Sequence, residues 1–488
     1  MAQSYDELPY GDIAYFHTHP AHLGALAVLC GLAPPTLTGG RVLEVGCGTG
    51  FNLLAMSRSL PETQFLGLDA SSTQIDRARA LADEVGATNA SFQVGRLEEL
   101  DDATGPFDVI LAHGVYSWIP PAAQTALLEL IRRRLAPNGL AYISFNAKPG
   151  WNARGVVRDF LLGAVPADGS PIDRARAARE RLAAFVASLP DPDSPYGRQV
   201  ASLAKALADE PDYYLLHEYL AERNEALAFG EFAARLAAHG LQYVAESRFS
   251  TSAFAQLGAD RTALDVVGDD LVRREQYHDY RWQRSLRQSI VCRADRAIPR
   301  VADAEAVGKL WLSPRVELVD PNVDVDATDF DEARREEDGE VVQIHDPFYR
   351  QFLRRLRAAP GRRLQPDSFL SDIRDYIGFD IGPEKSRHLL MQVVLKGTIE
   401  EVWHAYAEPT VYAAIVGDRP RACPLVRRQA GVGGSIVNRL HRGVRLDDAD
   451  RARLTRLDGR TDRATLAAEF GIGNEDLERF AAAALLEG

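Results

Sequence analysis

A short, mostly apolar run that ends in three alternating glycines, RVLEVGCGTG (41–50), constrains the fold more than any other stretch of the chain. It reads as a strand entering a tight turn, with FNLLAMSRSL (51–60) as the helix leaving it. The same rhythm repeats downstream. QFLGLD (64–69) is a second strand ending on an acid, STQIDRARALADEVG (72–86) an amphipathic helix, and ASFQVG (90–95) and FDVILAHG (107–114) are two more strands. QTALLELIRRRLAPNG (124–139) reads as a helix feeding a fifth strand, LAYISFN (140–146). Strands alternating with helices of this length predict a parallel sheet covered on both faces, a Rossmann-like α/β fold.

After Asn146 the alternation stops. Residues 152–225 read as mostly helical, FGEFAARLAAHGLQYVAESRF (229–249) returns to helix, glycine stop and strand, and LRQSIVCRA (286–294) is a last strand. The expected organisation is an N-terminal lid or docking segment (1–40), a ligand-binding core (41–150), a helical insertion (151–228), completion of the sheet (229–295), an acidic linker (296–345) and a helix-rich C-terminal module (346–488). In that module RLTRLDGRTDRATLAAEFGI (453–472) reads as a helix–turn–helix, plain or winged. The linker reading rests on eleven acids against two arginines in 317–340, a composition that suits a solvated connector or a strip for a basic partner. Beyond it, RQFLRRLRAAPGRR (350–363) carries six arginines and no acid.

The glycine turn carries the first chemical signal. Gly46, Gly48 and Gly50 let the backbone turn tightly and approach a ligand with no Cβ in the way. Asp69, ending the second strand, is placed to accept hydrogen bonds from ribose hydroxyls. A dinucleotide site would carry GxGxxG beside a pyrophosphate. Here the spacing is GxGxG, and Glu44 stands two residues before the first glycine. A carboxylate there repels phosphate and suits a cationic amine. S-adenosylmethionine (SAM) fits, with its α-amino group, sulfonium and ribose diol and no phosphate. The candidate cofactor residues are Glu44, Gly46, Cys47, Gly48, Gly50, Asn52, Asp69, Ala70, Gln74, Arg96, Leu97 and His113, with GRLEEL (95–100) placed to meet the adenine. Cys47 reads as a small filler rather than a catalytic thiol.

AHGVYSWIPP (112–121) ends the fourth strand, over the reactive end of such a ligand. His113, Tyr116 and Trp118, with Asn146 from the fifth strand, are the candidate catalytic residues. Lys148 and Trp151 follow at the same mouth, and Tyr10, His17 and His19 come from an N-terminal segment rich in aromatics that also holds Tyr5 and Phe16. These five, Tyr10, His17, His19, Lys148 and Trp151, are the candidate substrate contacts. Aromatic faces stabilise a sulfonium or ammonium by about 0.5–2 kcal/mol each. Apolar walls also lower an amine's pKa, because desolvation disfavours its charged form. Attack needs the neutral amine, which for a free lysine costs about 4.6 kcal/mol at pH 7. The fourth strand is followed by neither an Asp/Asn-Pro-Pro-Tyr/Phe tetrapeptide nor a Pro-Cys pair, which argues against DNA-base amines and C5-pyrimidine chemistry.

Composition sets the remaining bounds. A net charge of -13 disfavours affinity built on phosphate neutralisation, so nucleic acid is not the expected partner. The four cysteines form no CxxC pair, so no metal site is expected. Neither a signal-peptide profile nor a run of about eighteen apolar residues is evident, so a cytoplasmic protein without membrane insertion is the expectation. Lysine occurs only at 148, 205, 309, 385 and 396; genome composition explains that, as would avoidance of self-modification.

Taken together, SYDELPY, FHTHP, LEVGCGTGFNLL, GLDASSTQI, AHGVYSWIPP, FNAKPGW, HEYLAERNEALAFGEFAARLAAHGLQYVAE and EQYHDYRWQRSLRQSIVCRA resemble bacterial class I methyltransferases that carry a methyltransferase regulatory domain. The resemblance covers about 5–295. Its best-known members are similar to lysine methyltransferases of outer-membrane proteins. It implies a class I methyltransferase sheet and SAM as cofactor, with Glu44, Gly46, Gly48 and Asp69 in the binding role. Three departures stand out. Arg96 replaces a frequent Asp, so that a side-chain contact to adenine is either lost or moved to Glu98; Lys148 replaces a Tyr before Pro-Gly-Trp; and the turn is GCGTG where many members have GCAxG. The resulting expectation is SAM-dependent methylation of a protein or peptide amine, with lysine leading. The alternatives are O- or N-methylation of a small molecule or modified peptide, with His17, His19 or His113 as base for an O-acceptor, and a non-catalytic SAM-binding scaffold.

Overall fold

The computed structural model describes residues 6–101, 104–252, 266–320, 322, 329–336, 339–372, 381–413, 415–433 and 436–487. Tyr5 lies outside the described residues, as do parts of the 317–340 acid run. Seven strands form one sheet: β1 (Arg41–Val45), β2 (Gln64–Asp69), β3 (Ala90–Val94), β4 (Phe107–Ala112), β5 (Leu135–Asn146), β6 (Leu241–Glu246) and β7 (Leu286–Arg293). Their order is β3-β2-β1-β4-β5-β7-β6. β1 to β5 run parallel, whereas β7 lies antiparallel to both β5 and β6. A dinucleotide-binding sheet has the order 3-2-1-4-5-6. The reversed β7 wedged between β5 and β6 sets this sheet apart. The order reverses between β1 and β4, so the crevice outside their C-terminal ends is where a ligand fits.

The fifth strand begins five residues before the expected Leu140. The helix before it, Pro121–Arg134, stops at Leu135, and the pairing jumps from Phe107↔Leu135 to Val109↔Leu140. Residues 136–139 bulge out because Pro137 has no N–H to give the ladder.

Helix α1 (Pro20–Leu29) is buried along its whole length. Its face meets the C-terminal module, where the Ala407 N–H donates to the Ala21 carbonyl at 2.7 Å and the Gly24 position would bring a Cβ to 3.0 Å from Ala407. The helical insertion (Gly150–Ala164, Pro171–Ala187, Pro195–Ala208) packs its own core around Leu161, Leu182 and Val200 and continues through a π-turn at Leu215–Tyr219.

The described parts of the expected acidic linker are instead folded. Trp311–Pro314 and Val316–Leu318, then Asp331–Arg335 and Val341–Ile344, are strands, and Leu312, Val316 and Ala333 are fully buried. The acids and the arginine run annotate each other. Asp331 accepts from Arg350 and Arg354 at 2.9 Å, and Glu317 is held by Arg357 and Arg362. The acid run looks solvated when read by itself; in the fold, Glu317 and Asp331 lie against four of the six arginines.

Candidate active site

The glycine turn after β1 is built as its spacing requires. Gly46, Gly48 and Gly50 all have positive φ (70°, 52° and 71°). A Cβ on Gly46 would fall 2.6 Å from Val115 Cγ2, and one on Gly50 2.5 Å from the Phe92 ring, whereas Gly48 faces open space. Asp69 steadies the loop: its Oδ2 accepts the Gly48 N–H and its Oδ1 the Ser71 N–H, both at 2.9 Å. Each oxygen keeps a second lone pair for a ligand hydroxyl. The Gly95 N–H donates to the Asp69 carbonyl at 2.9 Å, which brings half-buried Leu97 and exposed Arg96 alongside. Ala70 is exposed beside Asp69, and Gln74 is buried in the first turn of the next helix, capped by Ser71 Oγ.

Glu44 is 4% exposed. Its Oε1 accepts from Asn52 Nδ2 at 2.6 Å, while its Oε2 is buried without a partner. Burial, reinforced by the charge on Asp69 and opposed by the Asn52 hydrogen bond, pushes the Glu44 carboxyl up to about 7. An orphaned carboxylate oxygen beside an open glycine turn fits an ammonium group and repels a phosphate. Cys47 is 8% exposed, and burial first, then Glu44 and Asp69, drives its thiol well above the ordinary range, so it is an inert filler.

Over this crevice runs the N-terminal segment. Asp6 binds Ser71 Oγ, Thr49 Oγ1 donates to Asp12, and the Tyr15 N–H donates to Asn52 Oδ1 at 2.9 Å. The Tyr15 ring lies 3.9 Å from His113, whose Nδ1 shares a 2.8 Å hydrogen bond with Tyr142 OH. Burial lowers the His113 imidazole to about 4, so it is neutral near pH 7. Tyr15 is pushed up to about 12, by burial first and then by the charges of Tyr213, Glu44 and Glu218. Its phenol therefore stands between the Glu44 crevice and a second acid.

That second acid anchors the other side of the mouth. Glu218 Oε1 accepts from Tyr10 OH at 2.8 Å, and the Tyr10 ring packs 5.1 Å from both Tyr213 and His217. Trp118 meets Trp151 edge-on at 6.4 Å, and Trp151 lies 5.8 Å from Tyr219. Asn146 donates to Asn224 Oδ1 at 2.9 Å, and the Leu227 N–H returns to the Asn146 carbonyl. Residues 213–227 are thereby stitched to the loops after β4 and β5.

Several expected positions fall elsewhere. Tyr116 is buried in the core against Phe232, 5.7 Å centroid to centroid. Lys148 reaches outward to Glu231 at 3.4 Å. His17 and His19 do not face the mouth: the chain turns at Phe16–Thr18 into α1 and carries both toward the C-terminal module. There His19 Nε2 meets Ser59 Oγ at 3.0 Å, and His17 lies near Glu401 and Arg248, its pKa lowered to about 3 mainly by burial. Tyr15, Glu218 and His441 were missed by sequence reasoning; Tyr15 sits in the aromatic N-terminal segment and Glu218 in a quoted motif, but neither in an alternating or glycine pattern that would single it out.

Residues 42–139 match a family model described as a methyltransferase domain, on the very segment that carries the glycine turn, Asp69 and the β1–β4 crevice. The chain belongs to the class I SAM-dependent methyltransferases. Two further models match this methyltransferase: a predicted methyltransferase regulatory domain over 211–293 and a PKMT C-terminal winged helix domain over 418–472. It is 35% identical over 229 residues to uncharacterized protein RP028 of Rickettsia prowazekii, covering 47% of this chain and 92% of that protein. It is 29% identical over 474 residues to uncharacterized protein RP789 of the same organism, covering 95% of this chain and 84% of that protein. The solved structure of PKMT2 from Rickettsia typhi in complex with AdoHcy superposes with a TM-score of 0.82 at 23% identity, over 98% of this chain and 100% of that one. At that identity the superposition establishes a shared fold from end to end. Among the described residues no helix is long and apolar enough to cross a membrane, and no group of His, Cys, Asp and Glu is arranged to hold a metal ion.

Proposed function

We propose that the methyltransferase acts on a protein amine, with lysine as the acceptor. Glu44 Oε2 takes the SAM ammonium, Asp69 the ribose diol, the Gly46–Gly50 backbone the chain between them, and the Arg96–Leu97 backbone the adenine edge. SAM, when bound, supplies a methyl group carried on a sulfonium, an electrophile that needs no metal or covalent enzyme intermediate. What remains for the protein is to bring a neutral amine to it, dry and in line.

The observation that carries the amine reading is Glu218, a half-buried acid on the acceptor side that accepts from Tyr10, whose ring packs on Tyr213, and whose charge reaches Tyr15. Burial raises its carboxyl, against the Tyr10 hydrogen bond and the Arg154 and Arg158 charges. An acid placed there suits an acceptor that arrives as a cation, with which it can form an ion pair; a hydroxyl acceptor brings it a hydrogen bond but no charge to pair with. Trp118, Trp151 and Asn146 then orient the amine, and neutral His113 with Tyr15 closes the crevice to water. The name of the superposed PKMT2 and the PKMT winged helix match at 418–472 support a protein acceptor.

Incubating host lysate with isotopically labelled SAM and the full chain should place label on protein lysines, read by mass spectrometry. Glu218→Gln should cut that labelling at least tenfold while leaving SAM affinity within about twofold, since an ion pair with a desolvated ammonium is worth more than about 1.4 kcal/mol. Label found only on hydroxyls or metabolites would refute the amine reading.

A further inference from the structure

The C-terminal module reaches into the cofactor crevice through the His441 side chain. His441 is fully buried, and its Nε2 lies 2.9 Å from Asn52 Oδ1. The donor directions in this contact are fixed by chemistry. The Tyr15 backbone N–H, which can only donate, also points at that Asn52 atom, so it is the oxygen; Asn52 Nδ2–H therefore faces Glu44, and His441 Nε2 must carry its proton. A continuous chain results: His441 N–H to the Asn52 carbonyl, and the Asn52 N–H to the Glu44 carboxyl. A hydrogen bond received at an amide oxygen polarises the amide and strengthens the one it gives.

The loop that delivers His441 is held at a cost. His441 has φ 61°, a left-handed conformation that non-glycine residues rarely adopt. It is kept there by its neighbours: the His441 N–H donates to the Asn438 carbonyl, the Leu440 and Arg442 N–H groups to Asn438 Oδ1, and Arg439 grips the Val411 and Arg58 carbonyls. Strain retained at a buried residue aimed at a ligand crevice is the pattern expected of a functional position.

We propose that His441 is a positioning residue of the SAM site: through the Asn52 amide it holds Glu44 in its charged, ligand-facing form, so that the C-terminal module completes a cofactor site whose contacts lie in the methyltransferase domain. This rests on Glu44 as the partner of the SAM ammonium. The groups that face Glu44 are Asn52, Asp69, Cys47 and Tyr15; those that face His441 are His19, its ring 5.6 Å away, and the Tyr15 carbonyl. His19 and His441 are both held neutral, chiefly by burial, so neither supplies a competing charge near pH 7.

Calorimetry of SAM binding to the full chain, from about pH 5.5 to 7.5, tests this with His441→Ala, His441→Gln and His441→Asn. Glutamine sets an N–H where Nε2 stood, whereas asparagine is too short. The alanine and asparagine variants should bind about five- to tenfold more weakly at pH 7, one hydrogen bond's worth. Their affinity–pH curves should shift to higher pH, because Glu44 is then harder to ionise, and glutamine should restore both. Wild-type affinity and pH curve in the alanine variant overturn the proposal, as does a glutamine variant no better than asparagine. Should alanine prevent folding, the asparagine–glutamine pair alone decides. A Glu44→Gln protein that binds SAM as wild type does would instead overturn the cofactor reading beneath it.

Discussion

Replacing Arg287 with methionine is expected to lower the stability of the methyltransferase domain by about 3–5 kcal/mol, the cost of stranding buried charge. Arg287 is 0% exposed, on β7, and binds Glu246 at 2.8 Å, Glu275 at 3.1 Å and Asp279 at 2.8 Å, while its guanidinium lies 4.0 Å over the Phe229 ring. Once it is gone, three buried carboxylates lose their shared guanidinium, while Asp279 keeps Arg284 at 3.3 Å. Even with both arginines present, burial pushes Asp279 up to about 6, whereas the arginines outweigh burial at Glu246 and hold it below the ordinary range. The signs follow. In the wild type, Glu246 adds stability above its unfolded pKa and loses it as pH falls; Asp279 does the reverse, favouring low pH and losing that stability as pH rises through about 6. Without Arg287, Glu246 loses the charge that holds its pKa down and Asp279 loses one of the two that oppose its burial, so the deficit measured by urea unfolding should be largest above about pH 7 and shrink toward pH 5. An unchanged midpoint would mean the cluster is hydrated rather than closed.

The second large effect is the pH dependence of SAM binding. Free Glu44, at about 7, is protonated below neutrality, and on its own this stabilises the unliganded fold at low pH and ceases to do so as pH rises through 7. A bound ammonium needs the carboxylate, so binding expels that proton. SAM's amine stays protonated throughout, since α-amino groups titrate at about 7.7–8.0. Affinity should therefore tighten by close to tenfold per unit from about pH 5.5 to 6.5 and level off above 7. Calorimetry in buffers of different ionisation enthalpy should register nearly one proton released near pH 6 and none for Glu44→Gln. A flat profile would place the ammonium elsewhere.

Much of this site was legible because backbone constraint and charge write themselves into short motifs. Three glycines with positive φ at fixed spacing, Glu44 before them and an acid closing the next strand leave few ligands to fit. Where a side chain's role depends on which way a turn faces, the sequence was silent. Tyr116 and Trp118 stand two apart in one motif, yet Tyr116 packs against Phe232 while Trp118 meets Trp151. His17 and His19 looked like crevice residues because the segment before them is; a single turn at Phe16–Thr18 sends them to a domain junction instead. The 317–340 acids read as a linker because their arginine partners lie in a different segment, and Glu218 and His441 become meaningful only when residues some two hundred and four hundred positions away, Tyr10 and Asn52, are brought against them.

The central claim is that the carboxylates of the β1 and β2 ends grip SAM, and Asp69→Ala tests it most directly. Calorimetry of the full chain should show SAM affinity reduced at least tenfold, about 1.4 kcal/mol or more, because two ribose hydroxyls lose their acceptor and the Gly48 N–H loses its anchor. Affinity equal to that of the wild type would contradict the account and move the cofactor out of the crevice.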